Sequence, residues 1–341
     1  MSLFGTKKES SIKVSVFART DVGKQRDHNE DSFLVADLSQ GRASLLPEVR
    51  EHVLGPKGSL LMVADGMGGA AAGEVASEMA TETVYEHLKT HWVTDTDNTP
   101  QQFAFRLREA VEDANHKIHE HAKQNPDHRG MGTTTTAVGI LSDGLFLTQV
   151  GDSRAYLVRH GEATQLTKDQ SLMQRLVDAG ELTAEEAERS ERKNIILQAL
   201  GPDPRVRVDL THQEICKGDT VVVCSDGLSG LVSAEEIAEA VTKNEDLVVA
   251  CGALIDLANE RGGPDNITAV VARINGDALK AATDGESVGR AVYPLLDGDS
   301  TTEPVPVYEG NDSPPPSDVK QMVIATLATA MIMAVALILA A

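Results

Sequence analysis

Six acidic residues stand where a carboxylate could do chemistry: Glu30, Asp31, Asp65, Asp152, Asp226 and Asp265. Most close an apolar run or sit in a glycine-containing turn. Leu60-Leu61-Met62-Val63-Ala64 delivers Asp65-Gly66-Met67-Gly68-Gly69, Val221-Val222-Val223-Cys224-Ser225 delivers Asp226-Gly227, and residues 145–150 deliver Gly151-Asp152-Ser153-Arg154. Except for His28 near Glu30, none has a cysteine or histidine immediately beside it. Carboxylates and carbonyls without soft donors suit hard divalent cations such as Mg²⁺ or Mn²⁺. Carboxylates brought together repel one another unless a cation lies between them, so metal is the economical explanation of such a set. Taken singly, each Asp-Gly or Asp-Asn is equally an ordinary turn, and spacing alone does not bring the six together. The glycines after Asp65 let backbone approach a ligand closely, but no Gly-Lys-Ser/Thr follows, which excludes a nucleotide-binding P-loop.

These residues require a scaffold of strands. Residues 12–18 and 32–36 alternate as strands on either side of the polar loop 20–31, and residues 37–58 read as a loop insertion. Apolar positions at three- and four-residue intervals predict helices after Gly73 and over 101–123. His116, His119 and His121 fall in the second helix, on what reads as its solvated face. Residues 132–140, 145–150 and 155–159 are strand runs joined by turn signals at Ser142-Asp143-Gly144 and His160-Gly161-Glu162, an antiparallel meander. The stretch 167–204 interrupts the series with helical segments, including a capping box at Thr183 and Glu186, and reads as a flap over a site. A strand at 220–225, helices at 234–241 and 246–260, and a last strand at 267–274 complete the pattern. Strand runs and helix runs are segregated, which predicts an α+β layered domain.

The formal charge of −21 argues against a nucleic-acid partner, since phosphate backbones call for excess Lys and Arg. Cys216, Cys224 and Cys251 form no Cys-x-x-Cys pair and sit among apolar neighbours, as reduced buried thiols do. Residues 1–11 are polar, without the apolar core of an export signal. Residues 275–321 are rich in Gly, Asp, Ser, Thr and Pro and predict a disordered linker. The uncharged stretch 322–341 is about 20 residues, the length of a helix that spans a hydrocarbon core. The expected organisation is therefore a flexible start (1–11), a catalytic domain (12–274), a linker (275–321) and a transmembrane tail anchor (322–341).

Seven motifs occur together and in order: Arg26-x-x-Asn29-Glu30-Asp31, Ala64-Asp65-Gly66-Met67-Gly68-Gly69, Gly132-Thr133-Thr134, Val150-Gly151-Asp152-Ser153-Arg154-Ala155-Tyr156, Leu166-Thr167-x-Asp169, Cys224-Ser225-Asp226-Gly227 and Pro264-Asp265-Asn266-Ile267-Thr268. In order and approximate spacing the chain resembles the metal-dependent PP2C (PPM) family of serine/threonine protein phosphatases, in its bacterial form, over residues 12–274. The resemblance implies a four-layer αββα sandwich of two antiparallel sheets flanked by helices. By position, Asp65 would bridge two Mn²⁺ or Mg²⁺ ions and Gly66 would add its carbonyl. Glu30 would serve the second ion, Asp226 and Asp265 the first, and Asp152 with Asp226 a third, weaker site. Asp31 would orient metal-bound water from behind, and Arg26 would grip the substrate phosphate. Hydroxide bridging the two ions would attack phosphorus directly, without a phosphoenzyme.

One position departs from eukaryotic relatives, where a histidine proposed as general acid follows the Asp-Gly; Met67 stands there in this chain. Water at the metals, or His28, is then left to protonate the leaving group, with water the favoured reading. The resulting expectation is a monomeric catalytic domain facing the cytoplasm from the cell membrane. It would act on phosphorylated proteins and oppose a Ser/Thr kinase. The rivals are a non-catalytic binding module and a soluble phosphatase whose tail docks into a partner.

Overall fold

β-Branched and aliphatic runs bounded by Gly and Asp turns form strands throughout the computed structural model, which describes residues 11–44, 50–68, 72–190, 192–283 and 286–295. The chain opens with β1 (Ile12–Asp21), β2 (Asp31–Asp37), β3 (Arg42–Ser44), β4 (Arg50–Val53) and β5 (Ser59–Met67). Two long helices follow, α1 (Ala72–His91) and α2 (Pro100–Gln124). The meander comprises β6 (Gly132–Thr133), β7 (Thr135–Leu141), β8 (Gly144–Val150), β9 (Arg154–Arg159) and β10 (Glu162–Gln165). The flap carries α3 (Leu172–Asp178) and α4 (Ala184–Glu188). Then come β11 (Asp209–Glu214), β12 (Thr220–Cys224), α5 (Asp226–Ser229), α6 (Ala234–Lys243), α7 (Leu247–Glu260), β13 (Ile267–Gly276) and β14 (Ala291–Val292).

The strands build two antiparallel sheets. One has the order β10-β9-β12-β13-β1-β4; the other runs β14-β11-β8-β7-β5-β2-β3, with β6 paired to β5. Three apolar layers hold the sandwich together. Leu61, Val63, Val138, Val221 and Val270 pack between the sheets. Trp92, Phe103 and Leu107 of the α1–α2 side cover the second sheet, and Leu228, Ile237 and Leu254 of α5 to α7 cover the first. This is the expected αββα arrangement, and its cohesion comes mainly from apolar area removed from water.

Local chemistry explains the joints. Thr99 caps α2 by accepting the Gln102 N–H, with Pro100 at the first helical position. Thr183 and Glu186 form the reciprocal capping box expected for α4. The β9–β10 hairpin turns on His160 and Gly161, both at positive φ (53° and 80°), the conformation a two-residue type I′ turn demands.

Several expectations need correction. The supposed loop insertion 37–58 contains β3 and β4, and β4 crosses to pair with β1 of the other sheet. The strand β11 and the short helix α5 carry no clear apolar periodicity and emerge only in the fold. His119 is not simply solvated, since its Nδ1–H donates to Gly201 O at 2.8 Å, and His121 hydrogen-bonds His128 at 2.9 Å. Ordered structure also runs past residue 274, where a disordered linker was expected to begin. Leu279 is buried between the sheets, Val288 packs beside it, and β14 pairs with β11. Leu279 and Val288, with Tyr293 and Leu295, are the apolar residues of this polar segment that pack on the domain. The expected transmembrane stretch 322–341 lies outside the described residues, and among the described residues no helix is long and apolar enough to cross a membrane.

Candidate active site

The sheets deliver their carboxylates to one edge. Asp31 heads β2 and stands directly opposite Asp65 in the β2–β5 ladder. Asp226 heads α5 just after β12, Asp265 precedes β13, and Asp152 lies in the turn after β8. A cleft of about 460 Å³ is lined by Arg26, His28, Glu30, Asp65, Gly66, Met67, Asp152, Asp226 and Asp265 among others. Asp31 does not line it; its carboxylate is held behind, on the hydroxyls of Ser225 and Thr268. The fold thus brings together acidic residues separated by up to most of the domain's length.

The Asp65 loop is fixed by its backbone. Asp65 O accepts from Thr134 N at 2.8 Å and from Thr133 Oγ1 at 2.9 Å, while Asp65 N donates to Thr134 Oγ1 at 3.1 Å. Gly66 N donates to Glu30 O at 3.0 Å, bringing two strand ends into contact. A Cβ on Gly66 would lie 2.2 Å from Gly73 O and 2.6 Å from Glu30 O, and one on Gly73 would lie 2.8 Å from the Glu30 carboxyl carbon. Glycine is required at both positions by close approach of backbone.

Electrostatics sets this cluster apart. Burial, followed by repulsion from Asp31, Asp226, Asp152 and Asp265, pushes the Asp65 carboxyl well above its ordinary range. Burial with the charge of Asp226 lifts Asp152 to about 8, and burial lifts Asp31 to about 7 despite its two hydroxyl donors. Glu30 and Asp226 are also raised, chiefly by burial. Asp65 stands close enough to Asp226 to influence its acidity, and both line the same cleft. Arg26 answers the cluster by an ion pair, its Nη2 donating to Asp265 Oδ2 at 2.8 Å from a half-exposed position, while the charges of Lys193 and Arg154 also act on Asp226.

A hard divalent cation fits this donor set. The oxygens are carboxylates with an available carbonyl at Gly66, and the three cysteines lie buried elsewhere as free thiols. Asp31 Oδ1 is buried with no hydrogen-bond partner, an uncompensated acceptor beside Asp65. As placed, no three His, Cys, Asp or Glu side chains among the described residues form a complete ligand set, so a cation would have to draw them inward.

Residues outside the expected set do much of the positioning. Asn266 accepts from Glu30 N at 2.8 Å and donates to Val22 O and His28 O at 3.0 and 2.8 Å, stitching the Arg26 loop to β13. Arg154 holds Asp169 through two edges, Nε to Oδ1 at 3.0 Å and Nη2 to Oδ2 at 2.7 Å, at the flap entrance. Both sit in motifs visible in the sequence, but their partners are too far along the chain to be read there.

An αββα sandwich whose strand ends gather buried carboxylates and an arginine into one cleft defines a class, the metal-dependent phosphoester hydrolases. Comparison with known proteins narrows it. The family model described as protein phosphatase 2C matches residues 50–269. The serine/threonine protein phosphatase PstP of Mycobacterium tuberculosis is 40% identical over 257 residues, 75% of this chain and 44% of its own length. The serine/threonine phosphatase stp of Listeria welshimeri is 35% identical over 257 residues, 75% of this chain and 94% of its own. The crystal structure of the PstP catalytic domain in complex with two manganese ions superposes with a TM-score of 0.63 at 38% identity, covering 77% of this chain and 99% of that one. The chain belongs to the protein phosphatase 2C family, and its matched segment is a serine/threonine protein phosphatase domain. It spans less than half the length of the mycobacterial relative it matches.

Proposed function

We propose that the protein removes phosphate from phosphoserine and phosphothreonine in protein substrates, using two Mn²⁺ or Mg²⁺ ions, at the cytoplasmic face of a membrane. The observation that carries this reading is the convergence of Glu30, Asp65, Asp152, Asp226, Asp265 and Arg26 on one cleft. PstP, of similar fold, binds two manganese ions. Here Asp65, Asp226 and Asp265 would hold one cation, Asp65, Glu30 and the Gly66 carbonyl the other, and Asp152 with Asp226 a third. When bound, such ions supply a reactive water near neutral pH and neutralise the phosphoryl oxygens.

The chain's own groups do the rest. Arg26 spends one Nη2 hydrogen on Asp265 and keeps further donors for phosphate oxygens, a pairing that guanidinium geometry favours. Asp31, anchored behind Asp65, sets the orientation of water in the cleft. Met67 lines the cleft without a transferable proton, so the leaving alkoxide is protonated by solvent or by His28, which lines the same cleft. The flap, whose Met173 and Gln174 line a cleft together with Asp152, selects among substrates. The uncharged stretch 322–341 supports anchorage in a membrane, where a Ser/Thr kinase is the natural antagonist.

The test is hydrolysis of a phosphothreonine peptide by the full-length chain with Mn²⁺. Turnover that vanishes in Asp65→Ala supports the reading, and no turnover above that variant rejects it. Retention of the full-length chain in the membrane fraction after carbonate washing supports the anchor; release rejects it.

A further inference from the structure

The carboxylate cluster is split between the two sheets. Asp31 and Asp65 ride on β2 and β5 of one sheet, while Asp226 and Asp265 flank β12 and β13 of the other. Sheets packed through aliphatic side chains leave the gap between such half-sites loosely determined, because apolar contacts are non-directional. Hydrogen bonds with fixed donors and acceptors can set it.

Two hydroxyls do so at this edge. Ser225, immediately before Asp226, donates its Oγ–H to Asp31 Oδ2 at 2.7 Å. Thr268, three residues beyond Asp265, donates its Oγ1–H to the same oxygen at 2.6 Å. Both residues are fully buried, and Thr268 N donates to Ser225 Oγ at 3.0 Å, locking the pair together. Thr268 has one hydroxyl proton and gives it to Asp31, so Thr20 is the donor in the 2.7 Å contact between the two threonines. Asn29 Nδ2 in turn donates to Thr20 Oγ1 at 2.8 Å, and Asn29 Oδ1 accepts from Asp31 N at 3.1 Å. The donors in the run Asn29–Thr20–Thr268 all point toward Asp31 Oδ2, an alignment in which each bond polarises the next. Oδ1 of the same carboxylate is left buried and unpartnered beside Asp65.

We infer that Ser225 and Thr268 are positioning residues whose hydroxyls clasp one sheet to the other, fixing the distance between the two carboxylate half-sites and leaving Asp31 Oδ1 for the cation cluster. The clasp rests on the phosphatase reading above. It predicts that the hydroxyls matter to cation uptake more than to folding, since partners that orient a ligand shell tune affinity without touching the ion.

The experiment measures Mn²⁺ binding by titration calorimetry, and phosphothreonine-peptide kinetics, for the full-length chain and for Ser225→Ala, Thr268→Val and Thr268→Ser. Thr268→Val keeps the shape and removes the hydroxyl. Ser225→Ala and Thr268→Val should each weaken Mn²⁺ binding about 10–100-fold and lower kcat, with KM for the peptide held within about twofold. Thr268→Ser should restore both quantities. Thr20→Val, which spares both hydroxyl contacts to Asp31, serves as a second probe should Thr268→Val fold poorly, and should give a smaller loss of affinity in the same direction. Folded Ser225→Ala and Thr268→Val proteins with wild-type Mn²⁺ affinity and kcat overturn the inference while leaving the phosphatase reading intact. A wild-type chain that takes up no Mn²⁺ overturns both.

Discussion

The two ends of β12 each present an aspartate, Asp219 buried and Asp226 half-buried, and they are treated in opposite ways. Asp219, just before the strand, is 1% exposed and fully answered. Arg159 grips it through Nε at 2.9 Å and Nη2 at 2.7 Å, and Cys216 N adds a third bond at 2.7 Å. Asp226, just after the strand, lines the cleft with Asp65 and Asp265, and burial with the charge of Asp265 pushes its carboxyl up. A buried charge with a bidentate partner is a closed structural unit; one surrounded by like charges is a site awaiting a ligand. The built-in counter-charge is what separates structure from function at these two positions.

That contrast can be broken by exchanging the roles. Asp65→Asn should cost about 10³-fold or more in kcat/KM for a phosphothreonine peptide, because several kcal/mol of transition-state charge stabilisation depend on that carboxylate. Its cation-free melting temperature should not fall, since one repelling charge is removed. Asp219→Ala should do the reverse: urea denaturation should show a loss of about 3–5 kcal/mol from leaving Arg159 buried without its partner, while the folded fraction keeps its kcat. If Asp219→Ala were as stable as wild type, the closed-unit description would be wrong.

Acidity sharpens the same comparison. Asp31 and Asp152 are raised from an ordinary 3.8 to about 7 and about 8. The folded, cation-free protein therefore holds protons that the unfolded chain has already released. Their contribution to stability is fully present below about pH 4 and drains away as pH rises through 7 to 8. Thermal melts without divalent ions should show that decline, and added Mn²⁺ should raise the melting temperature more at pH 8 than at pH 5. An increment independent of pH would contradict the account. The smallest effect belongs to the rim of the Arg159 unit. Glu286 lies 3.8 Å from Arg159 and is a quarter exposed, so Glu286→Gln should lower the urea midpoint far less than Asp219→Ala in the same denaturation assay.

The sequence made one kind of information legible and concealed another. Aliphatic runs ending in Asp-Gly are local signals, so the strands leading to Asp65 and Asp226 and an α+β layered domain could be read directly, whereas the αββα arrangement followed only from the family resemblance. Asp209-Leu210-Thr211-His212-Gln213-Glu214 reads as polar, and becomes β11 only because β8 and β14 flank it. Residues 277–295 have the composition of a linker, yet Leu279 and Tyr293 find partners on the sandwich. The Ser225 and Thr268 clasp joins residues 194 and 237 positions from Asp31, beyond the reach of any periodicity. The family resemblance marks Arg26 as a phosphate ligand, and the fold adds that it also answers Asp265.

The segment bearing α3 and α4 leaves and re-enters the domain at two stapled points. At its entrance Gln170 and Gly151 exchange hydrogen bonds, Gln170 N to Gly151 O and Gly151 N to the Gln170 amide, both 2.9 Å. At its exit Leu200 and Thr133 exchange backbone bonds at 2.8 and 3.1 Å, on the strand that supports Asp65. Whatever lies between these staples can lengthen, shorten or change its chemistry while the catalytic edge keeps its register, since loop length adds to closure entropy only slowly. In evolutionary terms the excursion is an exchangeable cassette. On the proposed function, a lineage could retarget the chain to a new phosphoprotein by rewriting the 29 residues 171–199, with the carboxylate edge inherited unaltered.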